Sequence, residues 1–209
     1  MSLSRKLPSP EIEMTMYHQG SRDLQARFGS DRLADRLLEK THRTEFTATD
    51  KALVESCGFF FLATADGDAQ PDCSFKGGAP GFVQIPAPDL LIYPDYDGNG
   101  MFKSLGNIRI NAKVGLLFIA MGEKPKRLRV NGIAELSFDD PRLADFPGGQ
   151  LLVRITPTHI FPNCPRYIPH TKPIAPSVYV PQVSAAPIEP AWKTSSDFKD
   201  VVPKRKPTA

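Results

Sequence analysis

The feature that most constrains the fold is a series of short apolar segments separated by turns. The first, "FFFLATAD" at residues 59–66, is dense enough in aromatic residues for a buried strand, and Asp66-Gly67 is a strong tight-turn signal after it. Further apolar runs follow at 71–75, 81–85, 90–94, 113–121, 127–138 and 151–161, with one helical pattern at 101–111. Because consecutive strands are joined by short turns rather than by long helices, the pattern predicts a mainly β fold. We expect a six- to seven-stranded antiparallel barrel with flanking helices.

The two ends of the chain differ from this central part. Residues 1–44 predict a helical arm, since Leu24 and Phe28 are four residues apart and Leu33 and Leu37 repeat that spacing. Eleven of the 21 prolines lie from Pro157 onward. Residues 161–209 are therefore predicted to form a proline-rich extension that is draped over the domain or partly disordered. The barrel itself is predicted to span residues 45–160.

Charge and cysteine content exclude several classes of protein. A net charge of +3 is too mild for a dedicated nucleic-acid binder, and no apolar run reaches the length that crosses a membrane. The three cysteines, Cys57, Cys73 and Cys164, have neither zinc-site nor disulfide-framework spacing. We therefore expect a cytoplasmic protein without a metal site.

The longest predicted strand carries two arginines on one face. Strand side chains alternate, so Arg127 and Arg129 point to the same side, opposite Leu128 and Val130. One interpretation is a solvent-exposed face. The other is an anion or a polar ring edge that both guanidinium groups bind.

The segment "DGNGMFKSLGNI" at residues 97–108 predicts a glycine-rich turn that leads into a helix. The first amides of a helix lack internal partners and favour phosphate, and Lys103, Ser104 and Asn107 lie near that helix start. The alternative is an ordinary surface turn. Neither the dinucleotide glycine pattern nor a Walker A sequence is present, so a nucleotide would bind by other means.

A strand with an interruption forms the third candidate. In "CSFKGGAPGFVQI", residues 73–85, Lys76 is followed by Gly77 and Gly78 inside an otherwise apolar pattern. Glycine weakens a strand interior and is usually kept for a bulge or for close approach of the backbone to a ligand. The neighbouring lysine favours an anionic ligand.

Taken in order, these motifs resemble the pyridoxamine 5'-phosphate oxidase-like family of flavin-binding split barrels, over about residues 45–160. The resemblance rests on "FFFLATADGD", "CSFKGGAPGFVQI", "LLIYPDYDGNGMFKSLGNIRINAKVGLLFI" and "RLRVNGIAEL" at this spacing. It implies an FMN-binding (flavin mononucleotide) split barrel, and a homodimer with FMN at each of two interface sites.

The resemblance also implies a set of cofactor contacts. They are Phe75, Lys76, Gly77, Tyr93, Pro94, Lys103, Ser104, Asn107, Arg127 and Arg129. Residues 75–77 would lie along the flavin, Tyr93 and Pro94 would flank it, and the short helix would bind the phosphate. Arg127 would reach the pyrimidine edge of the ring. In the extension, Arg166 and Tyr167 would shape the substrate side.

The chain departs from the family's vitamin oxidases at its end. Those enzymes end in a tryptophan-containing strand and an arginine motif, whereas this chain ends in the proline-rich extension with Trp192. We therefore expect an FMN-dependent oxidoreductase acting on an unknown small molecule. Two alternatives are a non-catalytic barrel that binds flavin, haem, a deazaflavin or another ligand, and a barrel that has lost its cofactor and contacts protein partners.

Overall fold

The computed structural model describes residues 16–169, 179–181, 188–196 and 199. The chain divides into two compact units, Met1–His42 and Arg43–Ala209. In the first unit, helix α1 (Gln19–Arg27) and helix α2 (Asp31–Thr41) are linked by an Arg22–Asp35 ion pair of 2.6 Å. Of the predicted extension, residues 170–178, 182–187, 197–198 and 200–209 lie outside the described part of the chain.

The second unit contains two α-helices, seven strands and two short 3-10 helices in the described residues. The α-helices are α3 (Ala48–Ser56) and α4 (Lys103–Ile110), and the 3-10 helices are Pro141–Asp145 and Ala191–Thr194. The strands are β1 (Phe59–Ala65), β2 (Pro71–Gly77), β3 (Gln84–Ala87), β4 (Leu90–Tyr96), β5 (Lys113–Ala120), β6 (Lys126–Ser137) and β7 (Gly149–Pro162).

All seven strands form one antiparallel sheet in the order β2-β1-β5-β6-β7-β4-β3. A contact across the sheet shows that it curls. The ring of Phe60 on β1 meets the ring of Tyr93 on β4 at a centroid distance of 5.0 Å, although three strands lie between them in the sheet. This closed interior confirms the predicted fold class, a mainly β split barrel with flanking helices.

Alternation along the strands builds the core of the barrel. On β6, Leu128 and Val130 are buried while Arg129 and Asn131 are exposed, which confirms the predicted faces. The register of β6 against β7 shifts at Asn131/Gly132, where a β-bulge fits the two strands around the curve.

Two element boundaries differ from the prediction. The sequence after Thr49 predicts a short helix at residues 50–56, whereas helix α3 begins at Ala48, because Thr47 and Asp50 form a reciprocal capping box. Strand β2 continues past Phe75 to Gly77, which pairs with Phe59 on β1. The lysine and the first glycine therefore belong to the strand and do not interrupt it.

Among the described residues, no helix combines the length and apolar character that membrane crossing requires.

Candidate functional site

The start of α4 lies against the edge strand β2. The Oγ atoms of Ser104 and Ser74 are 3.0 Å apart, and Ser104 Oγ also donates to Asp72 Oδ2 at 3.4 Å. Lys76 lies two residues beyond Ser74, so both side chains are on the same face of β2. The predicted Lys76 and Ser104 are thus brought to the same side of one strand, and Lys103 begins the helix there.

The first turn of α4 has free hydrogen-bonding capacity. Its N-cap residue Phe102 is in the left-handed conformation (φ 49°) and makes no side-chain cap hydrogen bond. The first amides of a helix have no internal acceptor. Just before it, Gly98 and Gly100 are exposed, and a Cβ added to either would meet no atom within 4 Å. The loop at 97–102 therefore leaves open space at Gly98 and Gly100, shortly before the first amides of α4 in the chain.

Charges continue from Lys76 toward the end of β4. Asp95 is 9% exposed, and its burial raises the pKa of the carboxyl group. The positive charge of Lys76 lowers that pKa and the negative charge of Asp97 raises it further. The carboxyl group of Asp95 therefore lies within electrostatic range of both Lys76 and Asp97.

Three predicted contacts have side chains inside the protein. Tyr93 is 1% exposed within the barrel, where burial, and secondarily the charge of Asp95, raises the pKa of its phenol. Pro94 is buried, and Asn107 donates from Nδ2 to Thr64 Oγ1 at 3.0 Å. These three side chains are buried, and their contact with a ligand stays a prediction.

Gly77 and Gly78 have a local reason to lack a side chain. A Cβ on Gly77 would lie 2.8 Å from the ring of Phe75, and a Cβ on Gly78 would lie 2.7 Å from Phe82 Cβ. The two glycines accommodate aromatic rings of the chain itself. Their predicted role in close approach to a cofactor stays a prediction.

Phe75 and the two arginines lie on the outer face of the sheet. Phe75 is 62% exposed and stacks on Phe59 at 5.3 Å, and Phe61 meets it edge-on. The strand register aligns Phe75, Phe61, Leu117 and Arg129 in one row across β2, β1, β5 and β6. This outer face (Phe59, Phe61, Phe75, Leu117, Ile119) is apolar and ends at the arginines.

Arg127 binds the start of the C-terminal extension. Its Nη2 donates to the carbonyl oxygen of Cys164 at 2.8 Å, and the amide of Asn163 donates to the Arg127 carbonyl at 3.2 Å. Arg127 Nε and Asn163 Oδ1 are buried and have no partner in the described part of the chain. Arg166 and Tyr167 follow at the surface, with Tyr167 89% exposed and 6.0 Å from the Arg166 guanidinium carbon.

The predicted residues therefore fall into two groups within one chain. Lys76, Lys103 and Ser104 lie at the β2–α4 edge, while Phe75, Arg127 and Arg129 lie on the outer face. Sequence reasoning missed Asp72, Ser74, Asp95 and Asp97, and also Lys193, whose Nζ donates to Asp97 Oδ2. The i−2 spacing from Lys76 could have identified Ser74, whereas Lys193 is 117 residues from Lys76 and carries no local signal.

The residues present fit a flavin phosphate and a flavin ring edge. The first amides of α4, the open space at Gly98 and Gly100, and the lysines Lys103 on α4 and Lys76 on β2 suit a phosphate. Arg127 Nε is a donor and Asn163 Oδ1 an acceptor, both without a partner among the described residues, and a pyrimidine edge offers both kinds of group.

This fold is that of a mainly β split barrel. The family model described as pyridoxamine 5'-phosphate oxidase matches residues 46–174, more than half of the chain. The chain belongs to this family, as its sequence motifs predicted.

Several solved structures are similar to this chain, all at low identity. HupZ from Group A Streptococcus is 20% identical, with 56% of this chain and 93% of that chain covered and a TM-score of 0.45. An FMN-binding protein from Syntrophomonas wolfei is 16% identical (68% and 97% covered, TM-score 0.39). HutZ, the heme storage protein from Vibrio cholerae, is 14% identical (56% and 95% covered, TM-score 0.41). The comparison with curated proteins finds no match.

Proposed function

We propose that this chain binds FMN and acts as a flavin-dependent oxidoreductase on a small molecule. The observation that carries the proposal is the uncapped first turn of α4, which Ser104 holds against β2 beside Lys76. In a member of this family, that combination of free amides and cations suits the phosphate of a flavin nucleotide.

The residues of the chain would bind and orient the cofactor. Lys103 and the first amides of α4 would hold the phosphate, and the bond between Ser104 and Ser74 would keep the helix start in register with β2. Lys76 would supply a positive charge along the ring. When bound, FMN supplies the redox chemistry, and the protein supplies position, charge and exclusion of water.

We further propose that the chain forms a homodimer through its outer face, with a flavin at each of two interface sites. The support is the row Phe75, Phe61, Leu117 and Arg129, a partly exposed apolar surface with a cationic end. Because β2 is an edge strand, the outer face of one protomer could approach the β2–α4 edge of its partner. The two groups of predicted residues would then meet across the interface.

The spectrum of the purified protein tests the proposal. A yellow sample with a flavin spectrum, bleached by a reduced nicotinamide and restored by air, is expected. A flavin spectrum that no reductant bleaches would favour a non-catalytic flavin-binding barrel, and a colourless protein that takes up no FMN would contradict flavin binding in either form. The substrate class is then found by testing acceptors on the reduced protein.

The C-terminal extension has a separate test. Arg166 and Tyr167 are proposed to shape the substrate side, supported by the hydrogen bond between Arg127 and the Cys164 carbonyl that starts this segment. Removal of residues from 163 onward is expected to increase access of external reductants to the flavin. Unchanged access and unchanged FMN affinity would contradict the role.

We also propose a cytoplasmic location. Cys73 and Cys164 are exposed free thiols, which a reducing compartment preserves. Fractionation of cells with an antibody to the chain tests this.

A further inference from the structure

Lys193 is an ion-paired lysine with almost no exposed side chain. It lies in the 3-10 helix Ala191–Thr194, and 7% of its side chain is exposed. Its Nζ donates to Asp97 Oδ2 and lies 3.8 Å from Glu189 Oε1. A lysine is rarely buried this far without a partner of opposite charge. The contact therefore joins the C-terminal extension specifically to Asp97.

Asp97 lies at the start of the loop that leads into the candidate phosphate site. It follows the last residue of β4, Tyr96, and opens the loop at 97–102 that leads into the uncapped turn of α4. Besides burial, which has the largest effect on the pKa of Asp95, the charge of Lys76 lowers that pKa and the charge of Asp97 raises it. A carboxylate at this place would repel a phosphate dianion at the helix start, because like charges at short range oppose binding.

A second contact brings the extension to the same end of β4. A Cβ on Gly148 would lie 3.3 Å from Pro181 Cγ, so Pro181 packs on the turn before β7. The next residue, Gly149, pairs with Tyr96. Two separate parts of the extension, Pro181 and residues 189–193, thus lie beside the end of β4 and the first residue of the loop, Asp97.

We propose that Lys193 neutralises Asp97 and so makes the loop at 97–102 able to accept a phosphate dianion. The segment at 188–196 is then a positioning element for the phosphate end of the ligand, and Lys193 acts through Asp97 without touching the ligand. This inference rests on the proposed function. It adds that the discrimination between FMN and unphosphorylated riboflavin depends on the C-terminal extension.

The test compares FMN with riboflavin on Lys193→Met, which removes the charge but keeps most of the apolar stem. FMN affinity is expected to fall by roughly tenfold or more, while riboflavin affinity stays unchanged. The double variant Lys193→Met with Asp97→Asn removes the exposed negative charge as well, so FMN affinity is expected to recover. Lys199→Met, at an exposed lysine six residues away, is the matched control and is expected to behave like the parent.

A measurement without flavin separates charge from tethering. Hydrogen exchange of the amides at 97–102 is expected to be faster in both Lys193→Met and the double variant, because both lack the ion pair. FMN affinity is expected to differ between these two variants. This split distinguishes neutralisation of Asp97 from a merely structural role of Lys193.

Each contrary outcome overturns the inference. FMN affinity equal to that of the parent, an equal loss of FMN and riboflavin, or a double variant that does not recover would each do so. If the parent binds no flavin, the proposed function fails, and inorganic phosphate becomes the probe, followed by phosphorus resonance broadening. Phosphate binding to the parent that weakens in Lys193→Met still supports the inference, and no difference between them, or no phosphate binding at all, overturns it.

Discussion

Phe75→Ser measures what the outer face contributes to self-association. Phe75 is 62% exposed in the single chain, so its truncation removes little from the core. Full burial of a phenylalanine side chain contributes roughly 1.5–3 kcal/mol, and about three fifths of that remains to be gained at an interface, or about 1–2 kcal/mol. In a two-fold symmetric dimer the change occurs twice, so about 2–4 kcal/mol is lost. The dimer dissociation constant is expected to rise roughly 30- to 1000-fold.

Analytical ultracentrifugation over a range of protein concentrations checks this value. Phe138→Ser is the matched control. Phe138 is 60% exposed, but it follows the end of β6 at a position that alternates with Arg127 and Arg129 and so does not belong to their face. This variant is expected to leave the dissociation constant unchanged. A Phe75→Ser dimer as tight as the parent, or a parent that is a folded monomer at micromolar concentration, would refute the assignment of this face.

Three further predictions concern the cofactor and the stability of the barrel. Lys76→Ala and Arg127→Ala are each expected to weaken FMN binding about ten- to a hundredfold in equilibrium titration, through loss of one charged hydrogen bond, and affinities equal to the parent would show that these residues are misassigned. Gly132→Ala would place a Cβ 2.6 Å from the Thr156 carbonyl oxygen, so urea unfolding is expected to show a loss of about 1–3 kcal/mol, and a neutral result would contradict the close packing at the bulge. Hydrogen bonds from Arg142 outweigh the effect of burial and hold the pKa of Asp140 well below its usual range. The carboxylate therefore stabilises the fold fully above pH ~4, the pKa of an aspartate in the unfolded chain, and its contribution to stability is lost as the pH falls below that value. The deficit of Asp140→Asn relative to the parent is accordingly expected to be largest near pH ~6 and to shrink toward pH ~2, and a deficit independent of pH would contradict the ion-pair explanation.

Most of the fold was predictable because strand alternation is a local property. A period of two assigns Leu128 and Val130 to one face of β6 and Arg127 and Arg129 to the other. The burial of Leu128 and Val130 confirms this assignment. The extent of β2 was predicted too short, since the pairing of Gly77 with Phe59 depends on the partner strand. Glycine signals did not separate a ligand contact from the space that Phe75 and Phe82 require.

The site was predictable only in part because it is assembled from distant segments. Lys103 and Ser104 carry a local signal, a glycine-rich turn before a helix. The partnership of Ser104 with Ser74, 30 residues apart, and of Asp97 with Lys193, 96 residues apart, arises from tertiary packing. The burial of Tyr93 also depends on tertiary structure, since the curl of the sheet encloses its ring, and its predicted contact with a flavin stays a prediction.

The strand order also determines when the barrel can be completed during synthesis. The hairpin of β1 and β2 leaves the ribosome early, but the other edge of β1 pairs with β5. Strand β5 in turn pairs with β6, and β6 pairs with β7, which ends at Pro162. Until the 43 residues from Gly78 to Ala120 have been translated, the strand containing Phe60 and Leu62 has one unpaired edge, and until the chain reaches Pro162 it has no closed interior to enter. The three-stranded meander of β5, β6 and β7 pairs neighbours in the chain and can form by itself once it emerges. The nascent chain therefore passes through a stage in which its most aromatic strand is exposed, and that stage is where a chaperone, or aggregation, would act on it.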